Sequence, residues 1–359
     1  MSSGPGPFEQ DMQVVVAEVQ PTDPAAESAA WARLDELTKP PRSLGRLEEV
    51  AASVARIQQT VRPCVTRRVV LLMAGDHGVV AEGVSPYPHD VTYQMVANFS
   101  AGGAAINQIA RSVGAEVRVF DVGVGRPVDL PGIRSHSVAL GTRNMAHGQA
   151  MTREECAAAM LVGIEAAREA AAEGFALIGT GEMGIGNSTA AAALTAAYTG
   201  AAVADVTGPG TGLDRAGVAH KVAVIERALD VNAARGLDPL GVLAAVGGLE
   251  IAALAGVVVG GAASGVCVVV DGFISGAAAL AAVALCPTAR DYVLASHRSA
   301  EPGHALLLGH LDARPVLELD MRLGEGTGAA LAMGIVDAAC KTLSGMATFA
   351  EAGVAGAEG

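Results

Sequence analysis

The sequence predicts an α/β protein built on a mainly parallel sheet with helices on both faces. Three observations predict it. Short apolar runs (Val69–Met73, Val117–Val122, Ala176–Gly179, Val266–Val270, Tyr292–Ala295 and Val316–Leu319) alternate with Ala-rich stretches of helical length, the pattern of parallel strands joined by crossover helices. Nearly all the distinctive polar strings directly follow one of these runs, where open α/β sheets bind their ligands. Apolar residues make up 51% of the 359 positions but aromatics only 3%, so a substantial core must be packed from Ala, Val, Leu, Ile and Gly.

Taken in order, residues 1–22 are mixed in composition, with Pro and Gly early, and are expected to be partly disordered. Asp23-Pro24 marks a helix start. Leu44, Leu47, Val50, Val54 and Ile57 recur at spacings of three and four, which predicts a helix after Ser43. Thr152 and Glu155 form a capping box for the helix that follows the second run. Residues 251–270 carry no charge and reach the length of a membrane span. However, Gly256, Gly260, Gly261 and Gly265 interrupt them, and Val266–Val270 is β-branched and ends at Asp271. A buried helix, a glycine turn and a central strand are expected there, and no membrane span. The segments before about 65 and after about 326 read as helical, a smaller second domain or lid beside an α/β body.

Lys plus Arg total 24 and Asp plus Glu 37, a net charge of −13 with no basic run. Nucleic-acid binding by phosphate neutralisation is therefore disfavoured, and an anionic ligand must be held by backbone N–H groups and a few cations. The five cysteines are widely spaced without a CxxC pair, which predicts free thiols in a reducing compartment. The N-terminus has no signal-peptide pattern, so a cytoplasmic location is expected.

Five strings carry chemistry. Gly179-Thr180-Gly181-Glu182-Met183-Gly184-Ile185-Gly186-Asn187-Ser188-Thr189 precedes an Ala-rich helix, where glycine N–H groups and a helix N-terminus suit a phosphate. An ordinary tight strand–helix turn fits equally, and the Gly-Lys-Ser/Thr ending of a Walker loop is missing. Gly208-Pro209-Gly210-Thr211-Gly212-Leu213-Asp214 offers a second such loop, with Asp214 as a helix cap. Lys221, taken alone, reads as part of a solvated helix face. In Leu323-Gly324-Glu325-Gly326 a carboxylate flanked by glycines is poorly explained by folding. Partly desolvated, it suits a general base, and a helix-dipole contact is the alternative. Ser296-His297-Arg298-Ser299 lacks the Gly-x-Ser-x-Gly elbow of a nucleophilic serine. Ser296 and His297 are expected to point apart, leaving contacts to sugar or phosphate, or a capped loop. Asp76-His77 invites a metal, with His297, His304 or Asp320 as further ligands, but neighbours leaving a strand rarely chelate together and no HxxxH or HxH exists. No metal is expected. Met73, Met95 and Met145 read as core or pocket lining.

In order, these strings, with Leu34-Asp35-Glu36-Leu37-Thr38-Lys39-Pro40-Pro41, Gln94-Met95-Val96-Ala97-Asn98-Phe99 and Gly247-Gly248-Leu249-Glu250, closely resemble the nicotinate-nucleotide:dimethylbenzimidazole phosphoribosyltransferases over about nine-tenths of the chain. The resemblance implies a Rossmann-like six-stranded parallel sheet in a catalytic domain of residues 66–325. It also implies a small helical domain from residues 1–65 and 326–359, and a homodimer. It implies transfer of phosphoribose from nicotinate mononucleotide to 5,6-dimethylbenzimidazole or a related base, giving α-ribazole 5′-phosphate and nicotinate in cobalamin nucleotide-loop assembly, without a cofactor. By motif, Glu325 corresponds to the general base and Glu182 to a second active-site carboxylate. Gly181, Gly184, Gly186, Asn187, Ser188, Gly208, Gly210, Thr211, Lys221 and Ser299 correspond to phosphate and ribose contacts, and Ser85, Gln94 and Leu323 to the base pocket. Arg42, Gln149 and Ser188 stand where the family usually has Gly, Pro and Thr.

The chemistry agrees. A neutral azole nitrogen that attacks the anomeric carbon leaves an N–H proton for a carboxylate. The leaving ring already carries positive charge, so no general acid is needed, and a carboxylate such as Glu182 can stabilise charge developing on the sugar. Two other readings compete: a non-catalytic nucleotide-binding regulator on the same fold, and a metal-dependent hydrolase using Asp76 and His77.

Overall fold

The computed structural model describes residues 4–355. Its sheet contains β1 (Arg68–Gly75), β2 (Glu116–Gly123), β3 (Ile133–Ser135), β4 (Leu177–Met183), β5 (Cys267–Val270) and β6 (Val293–Ala295), in the order β3-β2-β1-β4-β5-β6. Every pairing is parallel. The strand order reverses between β1 and β4, and the crevice at such a switch point is where these sheets take ligands.

Helices α1 (Pro7–Glu18), α2 (Ala25–Glu36) and α3 (Arg46–Gln58) precede the sheet. α4 (Asp90–Ala101) and α5 (Ala105–Ser112) lead to β2, and α6 (Arg153–Ala172) leads to β4. Between β4 and β5 run α7 (Asn187–Thr199), α8 (Val203–Val206), α9 (Arg215–Val231), α10 (Pro239–Val246) and α11 (Leu249–Ala263). α12 (Phe273–Leu285) leads to β6, and α13 (Gly303–His310), α14 (Thr327–Gly345) and α15 (Phe349–Ala352) follow. Consecutive residues of β1, β4 and β5 are buried, as in a parallel sheet covered on both faces. α11 lies against β1, β2, β4 and β5, and α14 against β1, β4 and β5.

The uncharged stretch forms α11 and β5, joined by a turn in which Gly265 has φ +69°. α11 is buried almost all round, as a core helix should be. Its glycines serve packing: a Cβ at Gly260 would lie 2.7 Å from the Ile164 carbonyl oxygen, and one at Gly256 would press on the Met160 carbonyl, both on α6. Among the described residues no helix is long and apolar enough to cross a membrane. The capping box at α6 is formed, with the Glu155 N–H donating to Thr152 Oγ1 at 3.1 Å and the Thr152 N–H to Glu155 Oε2 at 2.6 Å.

Four expectations need correction. Of residues 1–22, expected to be partly disordered, Pro7–Glu18 are helical as α1, which packs on α6 and α11. Arg153 on α6 holds Glu9 at 2.7 Å; residues 1–3 lie outside the described residues. Val316–Leu319 is not a strand of the sheet. Only a single bridge, His297 to Leu317, forms there, because the chain turns to solvent with Leu319 exposed. The sixth strand is instead β3, whose Ile-Arg-Ser run is too short and polar to stand out. Finally, β4 extends beyond Gly179 to Met183, laddered to β1 up to the Ala74–Met183 pair. Glu182 is therefore a strand residue and not a loop residue.

Candidate active site

The C-terminal end of β4, the start of α7, one face of α4 and the loops that carry Gly210, Glu301 and Leu323–Glu325 enclose a cleft of about 630 Å³. Glu182 reaches it from β4, where only 6% of the residue is exposed. Asn187, the first residue of α7, donates from Nδ2 to the Glu182 carboxylate. Burial, then the Asp271 and Glu250 carboxylates, push the Glu182 pKa up to about 8, against the Asn187 bond and with a smaller push from Glu325. Glu182 is therefore held protonated at neutral pH.

Glu325 also lies in the cleft and is 6% exposed. It sits between Gly324 and Gly326 in a run of three left-handed residues, with φ of +83°, +62° and +80°. A non-glycine residue there is strained. The run is anchored by Asp271 at the end of β5, which accepts the Gly326 N–H at 3.3 Å and the Ala329 N–H at 2.9 Å. No side chain fits at the flanking positions. A Cβ at Gly324 would collide with the Glu182 carboxylate, and one at Gly326 would lie 2.7 Å from Val70 Cγ1. Burial pushes the Glu325 pKa up, opposed by the backbone N–H of Ile106 and reinforced by Asp271. Its Oε2 is buried without a hydrogen-bond partner.

Lys221 overturns the expectation of a solvated helix face. It is 0% exposed, and its Nζ donates to Ser188 Oγ at 2.9 Å and the Gly208 carbonyl at 3.4 Å. Burial lowers its pKa to about 8, with Glu301 opposing. Asp214 caps α9 as expected, accepting the Gly217 N–H at 2.8 Å. At Gly210, φ is +53° and a Cβ would sit 2.7 Å from Ser188 Oγ and 3.3 Å from Lys221 Nζ. The two glycine loops and the buried Lys221 ammonium therefore converge on one spot.

Gly184, Asn187, Ser188, Gly210, Thr211 and Leu323 line the cleft, with Leu323 58% exposed at its mouth. Gly186 caps α7 with φ +95°. Gly181 lies within β4, where a Cβ would meet the Glu325 carbonyl oxygen at 2.9 Å; its glycine serves the approach of the Glu325 backbone. Gly208 packs on Glu301. Ser299 is buried beside the cleft, its N–H donating to His304 Nδ1 at 2.8 Å. Ser85 Oγ lies 3.3 Å from Thr211 Oγ1 at the rim. Gln94 is exposed on α4, whose Val91 and Met95 face the cleft together with Tyr87 and Ile274.

Ser296 and His297 do not point apart: Ser296 Oγ lies 3.0 Å from His297 Nδ1. The chain leaves the sheet after Ala295, so strand alternation no longer separates them. Ser296 is fully buried and donates to the Asp271 carbonyl at 2.8 Å, which makes it a brace and not a nucleophile. Asp76 and His77 are likewise engaged. Asp76 accepts from Thr92 Oγ1 at 2.6 Å and the Gly125 N–H at 2.8 Å, and His77 Nε2 meets Glu250 Oε1 at 2.7 Å. Burial disfavours charge on His77, but Glu250 outweighs it and raises the His77 pKa. Among the described residues no group of three His, Cys, Asp or Glu side chains is placed to hold a metal.

Sequence reasoning gave no role to Asp271, Glu301, Arg322 or Tyr87. Asp271 directly follows the Val266–Val270 run, which was its only signal. Arg322 lines the cleft and donates to the Gly210 carbonyl at 3.1 Å.

A family model described as "Phosphoribosyltransferase" matches residues 19–354. The chain is similar to the nicotinate-nucleotide–dimethylbenzimidazole phosphoribosyltransferase of Geobacter metallireducens, 54% identical over 340 residues, 94% of this chain and 96% of that one. The protein of the same name from Chloroflexus aggregans is 54% identical over 342 residues, 94% and 96% of the two chains. Among solved structures, CobT from Thermus thermophilus superposes with a TM-score of 0.88 at 51% identity, covering 92% of this chain and 99% of that one.

Proposed function

Because the chain belongs to the nicotinate-nucleotide–dimethylbenzimidazole phosphoribosyltransferase family, we propose that this cleft moves phosphoribose from nicotinate mononucleotide to 5,6-dimethylbenzimidazole, with Glu325 as the base. One observation carries the assignment. A buried Glu325 oxygen without a partner shares a cleft with apolar side chains and with Ser188 and Gly210, which Lys221 backs.

Val91, Met95, Ile274 and Leu323 suit a flat apolar ring. Lys221, Ser188 and the glycine loops suit the phosphate. The azole nitrogen lone pair forms the bond to C1′ as the bond from C1′ to the pyridinium nitrogen breaks, and that electron pair stays on the ring nitrogen of the departing nicotinate, whose ring is then uncharged. Attack opposite the leaving group inverts C1′ and gives the α product. The new azolium N–H proton passes to Glu325 and then to solvent. Glu182, which burial holds protonated, releases its proton to solvent as the cationic pyridinium binds, and its carboxylate then stabilises charge at C1′.

The site assignments for the remaining loop residues and for Ser85 and Gln94 belong to the same proposal. So does a small domain from residues 1–65 and 326–359, supported by the packing of α2 and α3 on α14 and by Arg33, which donates to the Leu343 carbonyl at 3.0 Å, although α1 packs on α6 and α11 of the α/β body. A homodimer, twice 35.9 kDa, and a cytoplasmic location complete it. The latter is supported by five free cysteines.

Purified protein incubated with nicotinate mononucleotide and dimethylbenzimidazole, with chelator present, should release nicotinate and α-ribazole 5′-phosphate together. Binding of the nucleotide without turnover on any azole base would favour a non-catalytic binding protein instead.

A further inference from the structure

We infer that Glu301 binds a ribose hydroxyl of the nucleotide and so makes the site select ribonucleotides over deoxyribonucleotides. The inference deepens the phosphoribosyl-transfer reading and rests on it.

Glu301 lines the cleft yet is only 6% exposed. The two glycines of the second phosphate loop enclose its carboxylate. Oε1 accepts the Gly210 N–H at 3.1 Å, and a side chain at Gly208 would collide with the carboxylate and come within 2.7 Å of Pro302 Cδ. Ser299 Oγ fixes the Glu301 backbone by accepting its N–H at 3.3 Å. Oε2 is buried and has no hydrogen-bond partner. The nearby Lys221 ammonium is directed elsewhere, to Ser188 Oγ and the Gly208 carbonyl.

A carboxylate only accepts hydrogen bonds, and a buried one short of donors is costly unless a ligand supplies them. The substrate offers few. Its phosphate, nicotinate carboxylate and ribose ring oxygen all accept; only the hydroxyls on C2′ and C3′ donate. The other donor of the reaction, the azole N–H, belongs to Glu325, the second buried carboxylate of the cleft with an unpartnered oxygen. Charge sorts the remaining ends. A phosphate is drawn to Lys221 and Ser188 and repelled by Glu301, so the sugar edge, and not the phosphate, meets Glu301. Two carboxylates short of donors thus correspond to the two kinds of donor that the substrates bring.

The test compares nicotinate mononucleotide with its 2′-deoxy and 3′-deoxy analogues, in wild type, Glu301→Gln and Glu301→Ala, by kcat/KM and by calorimetric Kd. Glu301→Gln keeps an oxygen for the Gly210 N–H, so it preserves the loop if the alanine variant unfolds. Wild type should lose about 10- to 100-fold on one analogue, the range of a hydrogen bond to a charged group. Both variants should lose a similar factor on the ribonucleotide and little more on that analogue. Equal wild-type use of all three nucleotides would overturn the inference. So would variants that lose ribo- and deoxynucleotide alike, because Glu301 would then only hold the Gly210 loop. If wild type binds the nucleotide but never turns over, the transfer reading fails, while the same comparison of Kd values still decides the role of Glu301.

Discussion

Replacing Glu182 by Gln should make the folded protein more stable in alkali and no more stable in acid. The carboxyl titrates at 4.5 in the unfolded chain and at about 8 in the folded one. Within that window the fold keeps a proton that the unfolded chain has released, so stability falls as pH rises through it. Each pH unit costs about 1.4 kcal/mol, or about 5 kcal/mol across the window. Glutamine carries no charge at any pH and keeps an oxygen for the Asn187 donor. The gain should therefore be absent near pH 4.5, grow steadily, and reach a few kcal/mol by pH 8.5. Lys221 pulls the other way, with a folded pKa of about 8 against 10.5 unfolded, so its contribution rises from pH 8 upward. It is common to both proteins and cancels in the difference. Urea midpoints of wild type and variant at pH 5 and pH 8.5 read the effect. A gap of equal size at the two pH values, or a variant less stable at pH 8.5, would refute the reasoning. The variant should also turn over more slowly, since stability here is exchanged for a charge that catalysis uses.

Lys221→Met should fold, because the substitution removes a buried charge of similar volume, but should raise the KM for nicotinate mononucleotide about 10- to 100-fold, the value of a charge-assisted bond to phosphate. Steady-state kinetics check this, and an unchanged KM would remove Lys221 from the phosphate site. Gly324→Ala should be worse than a surface mutation in both stability and rate. It places a side chain at φ +83° and against the Glu182 carboxylate, and melting curves with the transfer assay would show it. Wild-type kcat/KM should fall in acid as Glu325 takes up a proton, with a midpoint above the ordinary 4.5 because burial raises its pKa. A midpoint below 4.5 in the pH–rate profile would contradict the buried environment.

Glu325 was legible as a candidate base because it breaks a local rule, whereas Glu182 stood out only through the resemblance. Glu325 stands between glycines at the head of a helix, a position that a helix-dipole contact explains only in part, and its φ of +62° shows what that position demands. Lys221 was misread although a signal existed. With Val224, Ile225 and Ala228 it continues the buried stripe of α9 at helical spacings, which places it inside and not in solvent. Strand β3 left no comparable trace, because three residues pairing with the edge of β2 need no apolar run. Glycines 179 and 181 looked like phosphate ligands from their spacing, but a Cβ at Gly179 would lie 2.7 Å from Met333 Cε. They let α14 and the Glu325 backbone close on β4, a demand set by tertiary packing that one-dimensional spacing cannot display. Glu301 was hidden for the same reason, since its meaning comes from loops about ninety residues away.

The role of Glu325 as the base is read from the kcat of Glu325→Gln with nicotinate mononucleotide and dimethylbenzimidazole at neutral pH, on protein shown to fold. The variant should bind the nucleotide as wild type does and lose about 10²- to 10⁴-fold in turnover, the contribution of a positioned general base. Wild-type turnover in a folded Glu325→Gln would show that Glu325 is not the base.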